Sequence, residues 1–268
     1  MAYFRIEYYS NALHRTTSFE MFIPNDPRDP AGLPGNAGNG ETAAKAKPLR
    51  TLFLLHGYTG KAGNWVPEET AVRHNVAIVM PTVENSFYLN GEATGRAYQT
   101  MVGEELVNYV RKTFGLAKKR EDTCIAGLSM GGFGALHTGL AYPKTFGKIA
   151  ALSSALIVHE IAHMKPGEDN GVANYEYYRE CFGDLETAEE RDVNPEVLVR
   201  QLKKKKASIP DIFIACGTED FLIENNRRMH AFLTEEQVPH QYLEGPGIHD
   251  MVFWQKYIVQ AIEWMFGE

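Results

Sequence analysis

The sequence predicts an α/β fold in which helices cover both faces of a mostly parallel central β-sheet. First, short apolar runs alternate with helical patterns along most of the chain. Second, these runs are continuous in Val, Ile and Leu, as expected of strands that are buried on both faces. Third, the 268 residues, 44% hydrophobic and 23% charged, are enough for one large core. This length could form one α/β domain or two small ones, and we expect a single domain over residues 1–268.

The first elements are two adjacent strands followed by a long loop. "AYFRIEYYS" and "HRTTSFEMFIP" are rich in β-branched and aromatic residues, and only "NAL" separates them. Residues 25–48 are dense in Pro, Gly and Asn. Because the residues before this segment are too few to form a core, it is predicted to be a surface loop and not a domain linker.

The alternation of strands and helices begins after this loop. The strands "TLFLLHG", "VAIVMPTV" and "TCIAGLS" are each followed by a helical pattern, at Asn64 to His74, Ala97 to Phe114 and Met130 to Ala141. "KIAALSS", "DIFIACG" and "HQYLEG" supply further strands, and "ENNRRMHAFLTEEQ" and "VFWQKYIVQAIEWMF" supply further helices. Residues 155–208 are polar and aromatic and contain no good strand, so we expect them to form a lid-like insertion over the sheet.

Composition excludes several classes of function. The net charge of -7 argues against nucleic-acid or acidic-membrane partners, and the Lys203 to Lys206 run is explained as a solvated helix end. No basic and apolar leader and no window of membrane-span length is present, which predicts a cytoplasmic protein. The three cysteines, Cys124, Cys181 and Cys216, form no C-x-x-C pair, so neither a disulfide framework nor a zinc knuckle is expected.

The segment "CIAGLSMGGFGAL" carries the sharpest chemical signal. Gly127, Ser129 and Gly131 form the pattern G-x-S-x-G between an apolar strand and a helix of small residues. A strand that turns at once into a helix crowds the residues two before and two after the serine, and glycine relieves that crowding. The serine is then exposed at the helix N-terminus, where it can act as a nucleophile.

A serine hydroxyl needs a base, and the base needs a third group to orient it. In this arrangement an acid follows a later strand and a histidine comes later still. After "DIFIACG" both Glu219 and Asp220 are available, and we favour Asp220 because a shorter side chain suits a rigid turn. His249, in the loop "GPGIHD" before the last helix, is the predicted base. Placement within or beside helices and strands explains His14, His74, His137, His230 and His240.

"HEIAH" presents a rival chemistry, because H-E-x-x-H on a helix can bind zinc. Its histidines are His159 and His163. The metzincin extension is absent, and no second helix is evident for a thermolysin-like third ligand at Glu180 or Glu186. A short polar helix in the insertion explains the motif more simply, and zinc-peptidase activity is the less favoured hypothesis.

With Ser129, Asp220 and His249 identified, the chain resembles the α/β-hydrolase fold, and within it the esterase D group. That group includes tributyrin esterases, feruloyl and acetylxylan esterases, S-formylglutathione hydrolases and mycolyltransferases. The resemblance runs from about Tyr3 to Phe266 and rests on "LLHGYTG", "GLSMGGFGAL", "GTEDFL" and G-x-H-D before a Trp-containing helix.

Two segments depart from the pattern of the group. The S-formylglutathione hydrolases usually have a Ser-Gly-Leu-Thr-Cys type segment where this chain has residues 56–60, "HGYTG". Many relatives also place a tryptophan two residues after the catalytic histidine, where Met251 stands here. The first departure disfavours the glutathione thioester as substrate, and the second implies a pocket of different shape.

The resemblance and the motifs together imply a serine carboxylesterase that works through an acyl-enzyme and requires no cofactor. The backbone N–H groups of Tyr58 and Met130 are the expected oxyanion donors. His56 is expected to hold its loop by hydrogen bonds, and Gly57 to let the chain turn without a side chain that would block the ester. Phe87 and Tyr88, in the loop from Thr82 to Gly91, could line the substrate cleft or simply pack in the core.

The sequence does not identify which ester is the substrate. Short acyl esters are favoured through the resemblance, with acetylated or feruloylated plant polysaccharide fragments close behind. The motifs are also compatible with an S-formylglutathione hydrolase-like thioesterase, and less readily with a non-catalytic hydrolase-like binding protein. The expected partner is a small-molecule or oligosaccharide ester, and the resemblance to a group with many oligomers suggests a homo-oligomer.

Overall fold

Eight strands form one sheet in the computed structural model, which describes residues 1–24 and 48–267. In chain order the strands are β1 (Ala2–Ser10), β2 (Arg15–Ile23), β3 (Arg50–Leu55), β4 (Val76–Pro81), β5 (Thr123–Leu128), β6 (Lys148–Leu152), β7 (Asp211–Gly217) and β8 (His240–Gly245). Their order across the sheet is β1-β2-β4-β3-β5-β6-β7-β8. Among these strands, only the β1–β2 and β2–β4 pairs are antiparallel, so the predicted mostly parallel sheet is confirmed.

Helices pack on both faces of this sheet. They are α1 (Glu68–Arg73), α2 (Tyr98–Thr100, continuing through the π-helical turn Met101–Glu105 into Leu106–Phe114), α3 (Met130–Ala141), α4 (Val158–Ile161), α5 (Tyr175–Phe182), α6 (Pro195–Lys204), α7 (Ile223–Glu235) and α8 (Met251–Phe266). The helices α2 through α7 pack on one face of the sheet in a single core cluster. Helices α1 and α8 pack on the other face in a second cluster. The central strands are therefore covered on both sides, which is why their sequences are apolar without alternation.

The first helix after β3 is shorter than the sequence predicts. It begins at Glu68 and not at Asn64, because Pro67 occupies the N-cap position. A proline disfavours helical backbone in the residue before it. The Asn64 side chain instead accepts a hydrogen bond of 3.0 Å from the Val66 N–H.

Residues 155–208 contribute helices and turns but no strand to the sheet, as expected. The predicted loop at residues 25–48 lies almost wholly outside the described residues. All three cysteines are buried and unpaired. Among the described helices, none combines the length and the apolar character that crossing a membrane requires.

His137 ties α3 to the 155–208 segment. Its Nε2 lies 2.7 Å from the Asp192 carbonyl oxygen, and its ring stacks on Phe133 with centroids 5.6 Å apart. Burial lowers the pKa of His137 from 6.5 to about 4. The neutral ring is thus the form that the fold stabilises.

This burial predicts a loss of stability in mild acid. The unfolded chain binds a proton near pH 6.5, whereas the folded protein binds it only near pH 4, so the folded state loses stability as pH falls through that window. The free energy of unfolding should drop by up to roughly 3 kcal/mol across the window. Denaturant titrations between pH 7 and 4 should show a shallower decline for His137→Gln than for the wild type. Equal declines would contradict the assignment.

Candidate active site

Ser129 stands at the junction between β5 and α3 in a strained backbone conformation. Its φ of 56° and ψ of -121° lie in a region that residues with a side chain rarely adopt. A Cβ on Gly127 would lie 2.1 Å from the Gly131 carbonyl oxygen, and one on Gly131 would lie 2.5 Å from that of Leu55. The two glycines of the motif are therefore steric requirements of this turn.

The structure brings the three predicted side chains together in one hydrogen-bonded chain. His249 Nε2 lies 2.9 Å from Ser129 Oγ. On the other side of the ring, His249 Nδ1 lies 2.8 and 3.0 Å from the two carboxylate oxygens of Asp220. These distances suit a transfer of the serine proton to the imidazole.

Asp220 is held as a buried carboxylate, with only 2% of its surface exposed. Burial alone would raise its pKa, but hydrogen bonds from His249 and from the Leu222 N–H outweigh burial and lower it. The carboxylate therefore stays charged near neutral pH, which suits a group that orients an imidazole and stabilises its protonated form.

Glu219, the other candidate acid, has a different place. Its carboxylate accepts a hydrogen bond of 2.6 Å from the Gly247 N–H, and its own N–H donates to the Gly247 carbonyl at 3.1 Å. Glu219 thus fastens the loop that carries His249, while Asp220 contacts the ring itself. The geometry agrees with the choice of Asp220 over Glu219.

Two aromatic rings fix the orientation of His249. Trp254 meets the imidazole edge-to-face with centroids 4.9 Å apart, and Phe221 lies 4.6 Å from it at an angle of 48°. Trp254 belongs to α8, one turn beyond the Asp250 side chain that caps the helix. A tryptophan therefore contacts the imidazole in this chain too, but it is Trp254 and not a residue at the position of Met251.

His56 holds the loop after β3, as predicted, and does not reach the serine chain. Its Nδ1 lies 2.8 Å from the Gly57 carbonyl oxygen, and its Nε2 lies 3.2 Å from the Val83 nitrogen, which donates to it. Nδ1 is then the protonated nitrogen, and burial lowers the pKa of the ring, which keeps it neutral.

Phe87 and Tyr88 have different environments in the structure. Phe87 lines the cavity beside Ser129. Tyr88 is fully buried and absent from the lining, so of the two alternatives that the sequence left open it packs in the core and does not line the cleft. Its hydroxyl donates to the His56 carbonyl at 2.9 Å, so it supports the loop after β3 from beneath. Both residues have left-handed backbones, and nothing in the sequence shows which of the two neighbouring rings faces the cavity.

The backbone N–H groups of Tyr58 and Met130 belong to residues that line the same cavity as Ser129. Within the described part of the chain, neither N–H has a hydrogen-bond acceptor. Unpaired amides beside a nucleophile are the arrangement that a developing oxyanion requires.

The cavity above Ser129 has a volume of about 890 Å³. The 155–208 segment contributes Glu160, Asn170, Val172 and Tyr178 to its wall. Glu160 belongs to the H-E-x-x-H segment, and the other three lie in no motif of the sequence. The Asn225 side chain donates to the Glu160 carboxylate at 2.7 Å. Asn170 and Val172 lie in a loop and Tyr178 on α5, all far from Ser129 in sequence, so no motif beside the serine marks them.

The zinc hypothesis finds no support in the geometry. Helix α4 holds only the residues Val158–Ile161, so the H-E-x-x-H motif does not lie on one continuous helix. Both ring nitrogens of His159 face carboxylates, Glu189 at 2.8 Å and Glu196 at 3.0 Å. Within residues 1–24 and 48–267, no group of three or more His, Cys, Asp or Glu side chains is placed to hold a metal ion.

Comparisons with known proteins agree with this geometry. A family model named Esterase matches residues 39–265. An acetyl esterase of Caldicellulosiruptor saccharolyticus is 42% identical over 99% of this chain and 98% of that protein. Two solved Staphylococcus aureus structures are each 29% identical. The fluorophosphonate-binding serine hydrolase F has a TM-score of 0.81, and the match covers 100% of this chain and 99% of that one. The S-formylglutathione hydrolase has a TM-score of 0.79, and the match covers 99% of this chain and 98% of that one.

The contact between the loops that follow β7 and β8 gives a test by substitution. A Cβ on Gly217 would lie 2.1 Å from the Gly247 carbonyl oxygen, whereas one on Gly63, in the wall of the cavity, would meet nothing within 4 Å. Gly217→Ala should lower the free energy of unfolding by about 1–3 kcal/mol, and Gly63→Ala should change it by less than about 0.5 kcal/mol. Denaturant unfolding of both variants measures this, and equal effects would contradict the close approach.

Proposed function

Because the chain belongs to the Esterase family and is a serine hydrolase that acts on carboxylic esters, we propose that Ser129, His249 and Asp220 are its nucleophile, base and orienting acid. The single observation that supports these roles most strongly is the continuous hydrogen-bonded chain from Ser129 Oγ through both imidazole nitrogens to the buried carboxylate. Each link is within the range of an ordinary hydrogen bond.

In the proposed mechanism, Ser129 Oγ attacks the carbonyl carbon of the ester while His249 Nε2 takes the proton of the hydroxyl. The tetrahedral intermediate collapses, the alcohol leaves with the proton from His249, and an acyl-serine remains. Water then attacks the acyl-serine with His249 again as base, and the acid is released. Asp220 keeps Nδ1 protonated throughout, so that Nε2 is free to accept the serine proton.

The Tyr58 and Met130 N–H groups are the proposed donors to the oxyanion of each intermediate. Such donors stabilise the negative oxygen only if they are already in position, and losing one costs about 3 kcal/mol of transition-state stabilisation. The hydrogen bonds of His56 and Tyr88 supply that position on the Tyr58 side. On the other side, α3 begins at Met130, which lines the cavity, and the N–H groups of a first helical turn have no partner within the helix.

We propose short-chain acyl esters, acetyl esters first, as the substrates. The acetyl esterase relative at 42% identity over nearly the whole of both chains supports this choice. The competing thioesterase hypothesis has its support in the S-formylglutathione hydrolase at 29% identity. Feruloyl esters stay within the proposal as larger substrates that a cavity of about 890 Å³ has room to admit.

We also propose how the chain is organised around this site. Residues 1–268 form one hydrolase domain, and residues 155–208 are the cover of its active site. The side chains that this segment contributes to the cavity wall support that role. A cytoplasmic location is part of the proposal, and the three buried, unpaired cysteines are consistent with it.

The catalytic roles predict a sharp difference between two neighbouring carboxylates. Ser129→Ala should reduce hydrolysis of p-nitrophenyl acetate to background. Asp220→Asn should lower kcat by roughly 10²–10⁴-fold, because the imidazole loses its orienting charge. Glu219→Gln is the matched control and should lose only a small part of that activity, since an amide oxygen still accepts from Gly247. Unaltered activity in Ser129→Ala or Asp220→Asn would exclude these roles, provided that both variants melt as folded proteins.

The substrate proposal predicts a decline in kcat/KM as the acyl chain lengthens. A series of p-nitrophenyl esters from acetate to decanoate, together with acetylated xylan, methyl ferulate and S-formylglutathione, tests it. We expect acetate or a near homologue to give the highest value. A kcat/KM for S-formylglutathione far above that of every oxygen ester would replace the proposal with the thioesterase hypothesis.

A further inference from the structure

Strand β1 forms an edge of the sheet. It pairs with β2 along all nine of its residues, from Ala2 opposite Ile23 to Ser10 opposite Arg15. In the described part of the chain no strand pairs with its other side, so one row of backbone N–H and C=O groups has no strand partner. Such a row is a template for another strand.

Several of the usual protections of an edge strand are missing from β1, which has only the two charges of Arg5 and Glu7. Its sequence, "AYFRIEYYS", contains no proline and no lysine, and its unbroken register with β2 shows no bulge. Instead it exposes three aromatic side chains: Tyr3 at 53%, Phe4 at 38% and Tyr9 at 60%. A long, regular and aromatic edge of this kind is expected to be covered in the working protein.

We propose that a second copy of this chain covers it, with β1 pairing antiparallel to β1 about a two-fold axis at Ile6. A two-fold axis perpendicular to the sheet leaves every side chain on its own face. Two opposing residues must therefore lie on the same face of the strand. Their sequence numbers are then equal or differ by an even number. With Ile6 opposite Ile6, Arg5 lies opposite Glu7 of the second copy, and Glu7 opposite Arg5.

This register is self-complementary. Tyr3 meets Tyr9 on the face that carries the charges, and Phe4 meets Tyr8 on the face that packs against the helices. Cross-strand aromatic pairs and opposite charges are the pairs that stabilise antiparallel strands. The Arg5 side chain also lies opposite Glu20 of β2 in its own chain, so the second copy would place another carboxylate beside the same guanidinium.

The neighbouring registers are disfavoured by charge. A shift by one pair in one direction places Arg5 opposite Arg5, and a shift in the other direction places Glu7 opposite Glu7. Like charges directly opposite each other destabilise a strand pair. Of the three registers centred on residues 5, 6 and 7, only the one at Ile6 sets opposite charges against each other.

The interface leaves the active site free. β1 is four positions from β5 in the strand order, which is roughly 19 Å at the usual strand spacing. Hydrolysis of p-nitrophenyl acetate is therefore a control for folding in every variant of β1.

A charge exchange tests the interface through the mass in solution, measured by light scattering over a range of concentrations. The wild type should have about twice the 30.1 kDa of one chain, or a larger assembly whose dissociation passes through such a dimer. Arg5→Glu and Glu7→Arg should each raise the dissociation constant of the dimer by at least about tenfold, since each sets like charges opposite. The double variant Arg5→Glu/Glu7→Arg should restore the dimer, because it exchanges the two charges.

Three results would contradict the proposed dimer. A monomeric wild type, single variants that dimerise as tightly as the wild type, or a double variant no tighter than either single variant would each overturn the proposal. Since all variants are assayed for ester hydrolysis, a misfolded variant is recognised and excluded from the comparison.

A cross-link supplies an independent measurement. Only residue 6 lies opposite its own copy, so Ile6→Cys should form a covalent dimer under mild oxidation, whereas Tyr9→Cys, opposite Tyr3, should not. The native cysteines are buried and provide a low background. Cross-linking of Tyr9→Cys at the rate of Ile6→Cys, or of neither variant, would overturn the register.

Discussion

The strained turn at Ser129 is the constraint on which the rest of the site depends. A backbone conformation of this kind costs on the order of 1–3 kcal/mol and persists only where the surroundings hold it. Here the Ser129 N–H donates to the Leu152 carbonyl at 2.9 Å, and the Ser129 carbonyl accepts from Phe133 and from Ala155. These hydrogen bonds hold the turn to β6, to α3 and to the start of the 155–208 segment, so that the Cα–Cβ bond of Ser129 has one fixed direction.

The base and the acid are fixed by a different device, a close contact between two loops. Gly217 lies so close to the Gly247 carbonyl that it can carry no side chain, and Glu219 joins the same two loops through two hydrogen bonds to Gly247. β7 and β8 therefore deliver Asp220 and His249 as one unit. The site thus has two parts, the turn around Ser129 and the loop pair that carries Asp220 and His249. The hydrogen bond of 2.9 Å between Ser129 Oγ and His249 Nε2 joins the two parts.

Features with local causes could be predicted from the sequence. Buried strands have continuous apolar runs, and the G-x-S-x-G pattern has glycines where a Cβ would collide, so the sheet and the position of Ser129 follow from letters close together. The predicted start of the first helix after β3 is wrong because the helical pattern extends before Pro67, which sets the actual start. Tyr88 and the cavity wall at Glu160 and Val172 could not be assigned, since packing between distant segments decides which side chain reaches a cavity. The catalytic roles themselves stay predictions that the geometry supports.

Labelling by a fluorophosphonate probe reports most directly on the reactivity of Ser129, because such a probe forms a bond only with an activated serine. If the chain from Ser129 through His249 to Asp220 activates the hydroxyl, intact-mass analysis will show one adduct per chain, and peptide mapping will place it on Ser129. His249→Ala should slow the labelling sharply. An adduct on another serine, or no adduct on a folded protein that hydrolyses p-nitrophenyl acetate, would show that Ser129 is not the activated nucleophile.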